Sequence, residues 1–490
     1  MRAKETATNS ERIFDTFSDD QSAERPLFDC TATRALEQAE NVRLDPHTLM
    51  QRAGLAVARL AMAMTPHAGV IWIPCGPGNN GGDGYEAARN LKLWGKSPVV
   101  TCVGSIEALP IDAQASRRNA LQAGVVFADT PPESYDLCID ALFGIGAVRP
   151  FDGQCSDWIQ RINSGTAPVL AVDIPSGLNA DTGEAPTLLV KATATLSLLT
   201  LKPGLFTADG RETCGEIWFN DLEVAQSAAA TAYLSIPSHV VPRAHNTHKG
   251  SYGDIAVVGG SHGMTGAAVL AARAALRGGA GRVYVCLLDS DAPLYDTHQP
   301  ELMFRSLSEL SYESMTVVAG CGGGDAIHAH LKDILRLSVK LVLDADALNA
   351  IAKDSSLQRL LAARPAQTTV LTPHPLEAAR LMQVESRDIQ SNRLAAAQLL
   401  ADRFACLVVL KGSGTVIAAP STTPRINPTG NARLASAGTG DVLAGLIGAR
   451  MAVKGDVFSS VCGAVFRHGQ VADDWSHKST LTAHELAQSL

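Results

Sequence analysis

Residues 69–94 read GVIWIPCGPGNNGGDGYEAARNLKLW. The apolar run Gly69–Pro74 has the length and composition of a buried strand. The next nine residues, Gly76 to Gly84, contain five Gly. Such a loop can take positive φ and lets a ligand approach the backbone closely. Tyr85–Trp94 then reads as a helix stopped by Gly95, and Pro98–Val103 as the next strand. Strand, loop, helix and strand in that order predict a parallel sheet with a right-handed crossover.

The same grammar extends outward. Helical patterns at Thr31–Glu40 and His47–Met64 come before it. Short strands follow at Tyr135–Ile139, ending at Asp140, at Val169–Val172, ending at Asp173, and at Thr193–Thr200. Ligands of parallel sheets bind at the strands' carboxyl edge, so the Gly-rich loop, Asp140 and Asp173 are expected in one crevice. Residues 1–27 are polar with mixed charge and no apolar core, and read as a disordered extension rather than a signal peptide. A small-residue and Pro-containing stretch at 225–242 marks a boundary, with the linker at 226–233. A second α/β region occupies 234–490. Its expected strands are Ile255–Val258, Val283–Leu288, Met315–Ala319, Lys340–Leu343, Thr369–Leu371 and Leu407–Leu410, and its helices include Ala267–Arg277 and Val442–Val453.

Composition bounds the function. The 490 residues are 46% hydrophobic, enough for two or three domains with sizeable cores. The net charge of −8 and the absence of a basic run argue against a nucleic-acid partner. No uninterrupted apolar run is long enough for a membrane span. The ten Cys form no C-x-x-C pair and read as reduced thiols, mostly buried, in a cytoplasmic protein.

Free N–H groups of the Gly76–Gly84 loop, next to a helix start, suit a phosphate. The loop lacks the Lys-Ser/Thr end of a P-loop. Asp140 opens Asp-Ala-Leu-Phe-Gly144-Ile145-Gly146, and Asp173 opens Asp-Ile-Pro-Ser176-Gly177. Asn80, Asp140 and Ser176 offer only oxygen ligands, which suit a hard, weakly held cation. Asp173 could move a proton or simply turn the chain.

These three motifs, in this order, resemble the NAD(P)H-hydrate epimerase domain over residues 28–225. The resemblance implies a Rossmann-like three-layer α/β/α fold and interconversion of the R and S epimers at the hydrated ring carbon. By it, Asn79, Asn80, Gly81, Gly82 and Asp83, with Gly144, Ile145, Gly146, Ala147, Val148, Arg149 and Pro150, would contact the hydrated dinucleotide. Asn80, Asp140 and Ser176 would hold potassium, and Asp173 would be the acid/base and a substrate contact.

In the second region, Ser436-Ala-Gly438-Thr-Gly440-Asp441 leads into a helix. A Gly-rich turn at a helix N-terminus is an anion hole. Asp441 there is either a plain N-cap or a base acting beside a bound phosphate. Lys411-Gly412-Ser413-Gly414-Thr415 follows a strand and suits a nucleotide, or forms a hairpin turn. His374 sits between two prolines in a rigid loop. With Asp344-Ala-Asp-Ala-Leu-Asn349, these segments resemble the ribokinase-like ADP-dependent NAD(P)H-hydrate dehydratase domain. The resemblance implies that Lys411, Gly412, Ser413, Gly414, Thr415 and Gly440 bind ADP, with Mg2+ accompanying it, and that Ala267, Gly322, His374 and Asp441 bind the hydrate.

Four positions depart from the family pattern: Cys321 where Pro is typical, Leu376 where Gly follows His-Pro, and Ala432 and Arg433 where Pro-Gly is usual. The reading is a bifunctional enzyme, presumed homo-oligomeric, that epimerises NADHX and NADPHX (the hydrates of NADH and NADPH) and dehydrates the S form with ADP. Two alternatives are a small-molecule kinase with a regulatory N-terminal domain, and a chain whose N-terminal domain only binds.

Overall fold

The computed structural model describes residues 10–13, 24–146, 153–237, 243–476 and 479–490. Contacts divide the chain into two units near Ala232 and Tyr233, with residues 24–25 grouped with the second.

The first unit holds a sheet in the order Glu11–Arg12, Glu216–Asn220, Ala194–Leu198, Val169–Val172, Leu137–Asp140, Val70–Cys75, Ser97–Cys102 and Val126–Phe127. Every pairing is parallel except that of Glu11–Arg12. That strand corrects the expectation of a wholly disordered extension. Glu11 and Arg12 register against Phe219 and Trp218, and Pro26–Leu27 is also a strand.

The central strand is apolar throughout because both faces are covered. Its alternation sends Ile71 and Ile73 to a core shared with Val57, Leu60, Tyr85 and Leu91. Trp72 goes to the opposite face, against Trp158 and Tyr135 at ring-centroid distances of 6.2 and 5.2 Å. Helices Thr48–Met64 and Asn79–Leu93 lie on the first side, and Gly153–Ser164 on the second. Three α/β/α layers result.

The Gly-rich segment differs from the expected loop. The helix begins at Asn79, with Gly78 as N-cap, so Gly81, Gly82 and Gly84 occupy its first turns. None of the loop's five Gly has positive φ. Space is what they provide. A Cβ on Gly81 would lie 2.1 Å from Gly76 O, and one on Gly84 would lie 2.6 Å from Ala141 Cβ. The cost of Gly in a helix, about 1 kcal/mol each, is offset by close packing on the sheet edge.

The second unit's sheet runs Met303–Phe304, Arg282–Leu287, Asp254–Gly259, Thr316–Ala319, Lys340–Leu343, Thr369–Leu371, Leu407–Leu410, Val416–Ala419, Thr422–Ile426. It is parallel from Met303 to Leu410 and closes with two antiparallel pairings. Residues 232–234, overlapping the end of the expected linker at 226–233, form a strand, and Tyr233 and Leu234 extend the sheet beside Arg425 and Ile426. Helix Thr439–Ala452 packs on Thr265–Arg277 so closely that a Cβ on Gly445 would meet Ala271 O at 1.9 Å. No described helix is long and apolar enough to cross a membrane. All ten Cys are free, and all but Cys30 and Cys102 are buried.

The helix pair beneath the first sheet's edge has no spare room. A Cβ on Gly54 would stand 2.3 Å from Glu86 Cβ. Gly54→Val is expected to lower the first unit's unfolding free energy by about 1–3 kcal/mol or more. Urea denaturation followed by Trp fluorescence measures this. An unchanged midpoint would show that the two helices are not in close contact.

Candidate active sites

In the first unit, Asn79, Asn80, Asp83, Gly144, Ile145, Gly146 and Asp173 line one cavity of about 650 Å³. Ala147, Val148, Arg149 and Pro150 lie outside the described residues. Gly81 and Gly82 are buried in the helix and serve packing.

Asp140 ends its strand fully buried. Its carboxylate accepts from Ser176 N at 2.9 Å, Ser176 Oγ at 2.7 Å and Leu142 N at 3.3 Å. Burial pushes its pKa up to about 6, and the Ser176 bonds only partly offset this. Ser176 Oγ also accepts from Phe143 N at 2.9 Å. A Cβ on Gly144 would lie 3.1 Å from Asn80 Oδ1, so the three proposed ligand residues close around one loop. Asn80 Nδ2 is buried without a partner. Exchanging the amide's O and N would aim an oxygen there instead. An all-oxygen set around a buried carboxylate fits a hard cation.

Asp173 turns the chain after its strand in the left-handed region, at φ 68°. Such a φ is strained for a residue with a Cβ, and strain of this kind gathers at functional sites. Asp173 Oδ1 accepts from Leu198 N at 3.1 Å and is ion-paired with Lys202. Lys202 is fully buried, and its Nζ also donates to Leu198 O at 2.7 Å. Sequence reasoning missed Lys202. Its only signal was a lone cation two residues beyond the apolar run Thr193–Thr200. Glu37 was missed as well. It lines the cavity on helix Cys30–Arg43 and accepts from Asn79 Nδ2 at 3.4 Å.

In the second unit, the Lys411–Thr415 turn joins antiparallel strands, so the hairpin reading of its geometry holds. Gly412 and Ser413 are exposed. Lys411 Nζ donates to Asp344 Oδ1 at 2.7 Å, and Thr372 Oγ1 donates to the same oxygen at 2.8 Å. Burial lowers the Lys411 pKa, but Asp344 and Glu377 outweigh it and hold the ammonium above its usual range. A Cβ on Gly440 would lie 3.3 Å from Lys411 Nζ and 4.0 Å from Asp344 Oδ2.

Asp441 is not the N-cap. Gly438, at φ 90°, takes that place, and the helix starts at Thr439. The carboxylate is left to its neighbours. Burial raises its pKa to about 6, with Asp344 adding to the shift. One ligand atom from each of Cys321, Asp344 and Asp441 lies within 4.8 Å of the others. Ala267 and Gly322 are adjacent, since a Cβ on Gly322 would sit 2.9 Å from Ala267 Cβ.

His374 caps helix Pro375–Met382. Its Nδ1 accepts from Leu376 N at 3.1 Å, and Glu377 Oε2 accepts from His374 N at 2.9 Å. Burial, then Lys411, lowers its pKa, leaving a neutral ring. Leu376 stands 46% exposed, clear of the core. Ala432 and Arg433 lie in a short 3-10 turn, and Asn431 Oδ1 accepts from Arg433 N at 3.0 Å. Asp473 and His468 were also missed. Asp473 Oδ2 accepts from Gly430 N at 2.7 Å, and buried His468 bonds Thr439 O at 2.9 Å beneath the helix start.

Two α/β units, each with a lysine–aspartate pair at the strands' carboxyl edge, define a two-site enzyme of parallel-sheet architecture. Family models agree. Residues 46–204 match the YjeF-related protein N-terminus, and 255–490 match NAD(P)H-hydrate dehydratase. The bifunctional NAD(P)H-hydrate repair enzyme Nnr of Escherichia coli K12 is 37% identical over 89% of this chain and 87% of its own. The enzyme of that name from Coxiella burnetii is 34% identical over 91% and 94%. An ADP/ATP-dependent NAD(P)H-hydrate dehydratase from Bacillus subtilis, co-crystallised with ATP/Mg2+, is 31% identical over 52% of this chain and 92% of its own, at a TM-score of 0.45. The chain belongs to the family of bifunctional NAD(P)H-hydrate repair enzymes, with an epimerase domain followed by a dehydratase domain.

The Asp173–Lys202 pair makes a separate prediction. Removing one partner of a buried pair leaves an uncompensated charge and costs about 3–5 kcal/mol. Lys202→Met should lower the first unit's stability by that order and abolish epimerisation, while dehydration of the S hydrate continues. Thermal unfolding and separate assays of the two reactions check it.

Proposed function

We propose that Asp173 exchanges protons with the hydrated nicotinamide ring in the first site, and that Asp441 is the base of a nucleotide-driven dehydration in the second. The observation that carries this reading is the position of Asp441. It sits in the first turn of a helix whose N-cap is another residue, within reach of Lys411, Asp344 and Gly440. A carboxylate with no capping duty beside an anion hole suits deprotonation of a hydroxyl as a phosphoryl group is transferred to it. Phosphate then departs from the ring with the C–O electron pair, the adjacent ring carbon gives up a proton, the double bond of NADH or NADPH is restored, and ADP leaves as AMP.

We assign ADP as the co-substrate, carried with Mg2+, to the exposed turn at Lys411–Thr415 and to Gly440. The S hydrate is assigned to Ala267, Gly322, His374 and Asp441. The His374 ring uses Nδ1 for the helix cap and its Nε2 lies 3.3 Å from Glu377 Oε1, so a ligand would meet this histidine together with Glu377. In the first site the hydrated dinucleotide lies along Asn79–Asp83 and the Gly144–Gly146 loop. Potassium held by Asn80, Asp140 and Ser176 would supply a fixed positive charge for the dinucleotide's phosphates. Asp173 works at the ring end, oriented by Lys202. The free cysteines suit a reducing compartment such as the cytoplasm.

Incubating the purified chain with the R or S hydrate plus ADP or ATP, and following the absorbance of recovered NADH, tests both halves. No recovery from the S form with either nucleotide would defeat the dehydratase assignment. Asp441→Asn should abolish dehydration and spare epimerisation, and Asp173→Ala the converse. Asp441 must be ionised to act as a base, and its pKa lies near 6. Dehydration should therefore fall as pH drops through about 6 and level off above it.

A further inference from the structure

We propose that Glu37 is a second proton-transfer residue of the epimerase site, delivering a proton to the departing ring hydroxyl while Asp173 serves the incoming water. The proposal deepens the reading of Asp173 given above and rests on it.

Inversion at a hydrated carbon requires the C–O bond to break and re-form on the opposite face. The hydroxyl takes a proton from an acid and leaves as water. The ring nitrogen's electron pair stabilises the carbon until another water adds, and a base takes that water's extra proton. One proton is delivered and one removed, so the ring is unchanged apart from its configuration. Asp173, ion-paired with Lys202, is placed to accept. A separate donor is needed.

The cavity narrows the choice. Lys202 directs Nζ at Asp173, Leu198 O and Ser197 Oγ. Arg34 donates to Ile145 O at 2.9 Å and keeps its charge. Asp112 is 38% exposed and lies 3.8 Å from His47 Nδ1. Two carboxyls remain, Glu37 and Asp83. Asp83 shares a helix with Asn79 and Asn80. Glu37 comes from a second helix, Cys30–Arg43, and its carboxyl is held by Asn79 Nδ2 across the cavity wall.

That wall is fixed at its N-terminal end. Asp29 caps the helix through Ala32 N at 2.8 Å, Thr33 Oγ1 bonds Thr200 Oγ1 at 2.7 Å, and Arg34 ties it to the loop after Asp140. Thr33, Arg34, Glu37 and Asn41 present one helical face to the cavity. Asn79 Nδ2 holds Glu37 Oε1, which positions the carboxyl beside a residue already assigned to the substrate. Burial, then the charge of Asp173, raises the Glu37 pKa, which favours the protonated form that a donor requires.

The test uses the full-length chain, in which dehydration of the S hydrate reports an intact fold. Glu37→Gln should lower epimerisation kcat by about a hundredfold or more. KM should stay within about threefold and S-hydrate dehydration should be unchanged. Glu37→Asp should recover part of the rate. Oxygen from isotopically labelled water should enter the hydroxyl in the wild type and slow in parallel with epimerisation in Glu37→Gln. An epimerisation rate in Glu37→Gln within threefold of wild type overturns the proposal. So does a change confined to KM, or a loss seen in Asp83→Asn but not in Glu37→Gln. Should Asp173→Asn epimerise normally while Glu37→Gln does not, the Asp173 reading fails and the role of Glu37 stands.

Discussion

The buried pair of Lys202 and Asp173 constrains everything around the first site. An ammonium with no exposed surface costs several kcal/mol to bury unless its partners are placed to match it. Those partners come from three places: the turn after Val169–Val172, the end of Ala194–Leu198, and Ser197 within that strand. The pair therefore requires the two strands to be adjacent and in register, as the Leu170–Ala194 and Val172–Leu196 pairings show. It also requires Asp173 to turn at positive φ, because the backbone must leave the sheet while the carboxylate stays over it. The strain is local, and the ion pair and the Leu198 N–H bond hold it in place.

The second unit uses the same kind of pairing differently. Lys411 and Asp344 also meet at the carboxyl edge, but Lys411 is partly open, with a side chain 19% exposed. Asp344 Oδ1 is taken by Lys411 and Thr372, while Oδ2 faces Gly440. In the first pair the lysine is sealed and the aspartate faces the cavity; in the second the aspartate is sealed and the lysine is the accessible member.

Strand positions were legible in the sequence because buried parallel strands are short, uniformly apolar and ended by Gly or Asp. Val169–Val172, Lys340–Leu343 and Thr369–Leu371 were read without error. The convergence of Asp140, Asp173 and the Gly-rich segment followed from topology. What failed was the local meaning of glycine. In Gly78–Gly84 it reads as a flexible loop, yet it permits helix–sheet contact, and a single sequence cannot separate the two uses. The strand at 232–234 was hidden for a similar reason, since a small-residue run resembles a linker until its sheet partner is known. Lys202 and Glu37 were invisible on different grounds. A lone charge after a strand or on a helix is usually solvated, and only tertiary placement makes it a partner.

This asymmetry bears on how the two halves divide their chemistry. Epimerisation needs only protons and water, so a closed wall with sealed charges suits it: the substrate's own carbon supplies the leaving group. Dehydration must couple to a nucleotide that enters and leaves, and in the second unit Lys411 is partly accessible beside a turn whose Gly412 and Ser413 are exposed. His374 shows how the second site keeps shape without closing. Its Nδ1 is committed to a helix cap, and Glu377 both returns the capping bond and lies 3.3 Å from Nε2, so the ring is fixed in tautomer and orientation. The departures at Cys321 and Leu376 leave Lys411, Asp344 and Asp441 themselves in place. Cys321 lies beside Asp441, and the Leu376 side chain points away from the core.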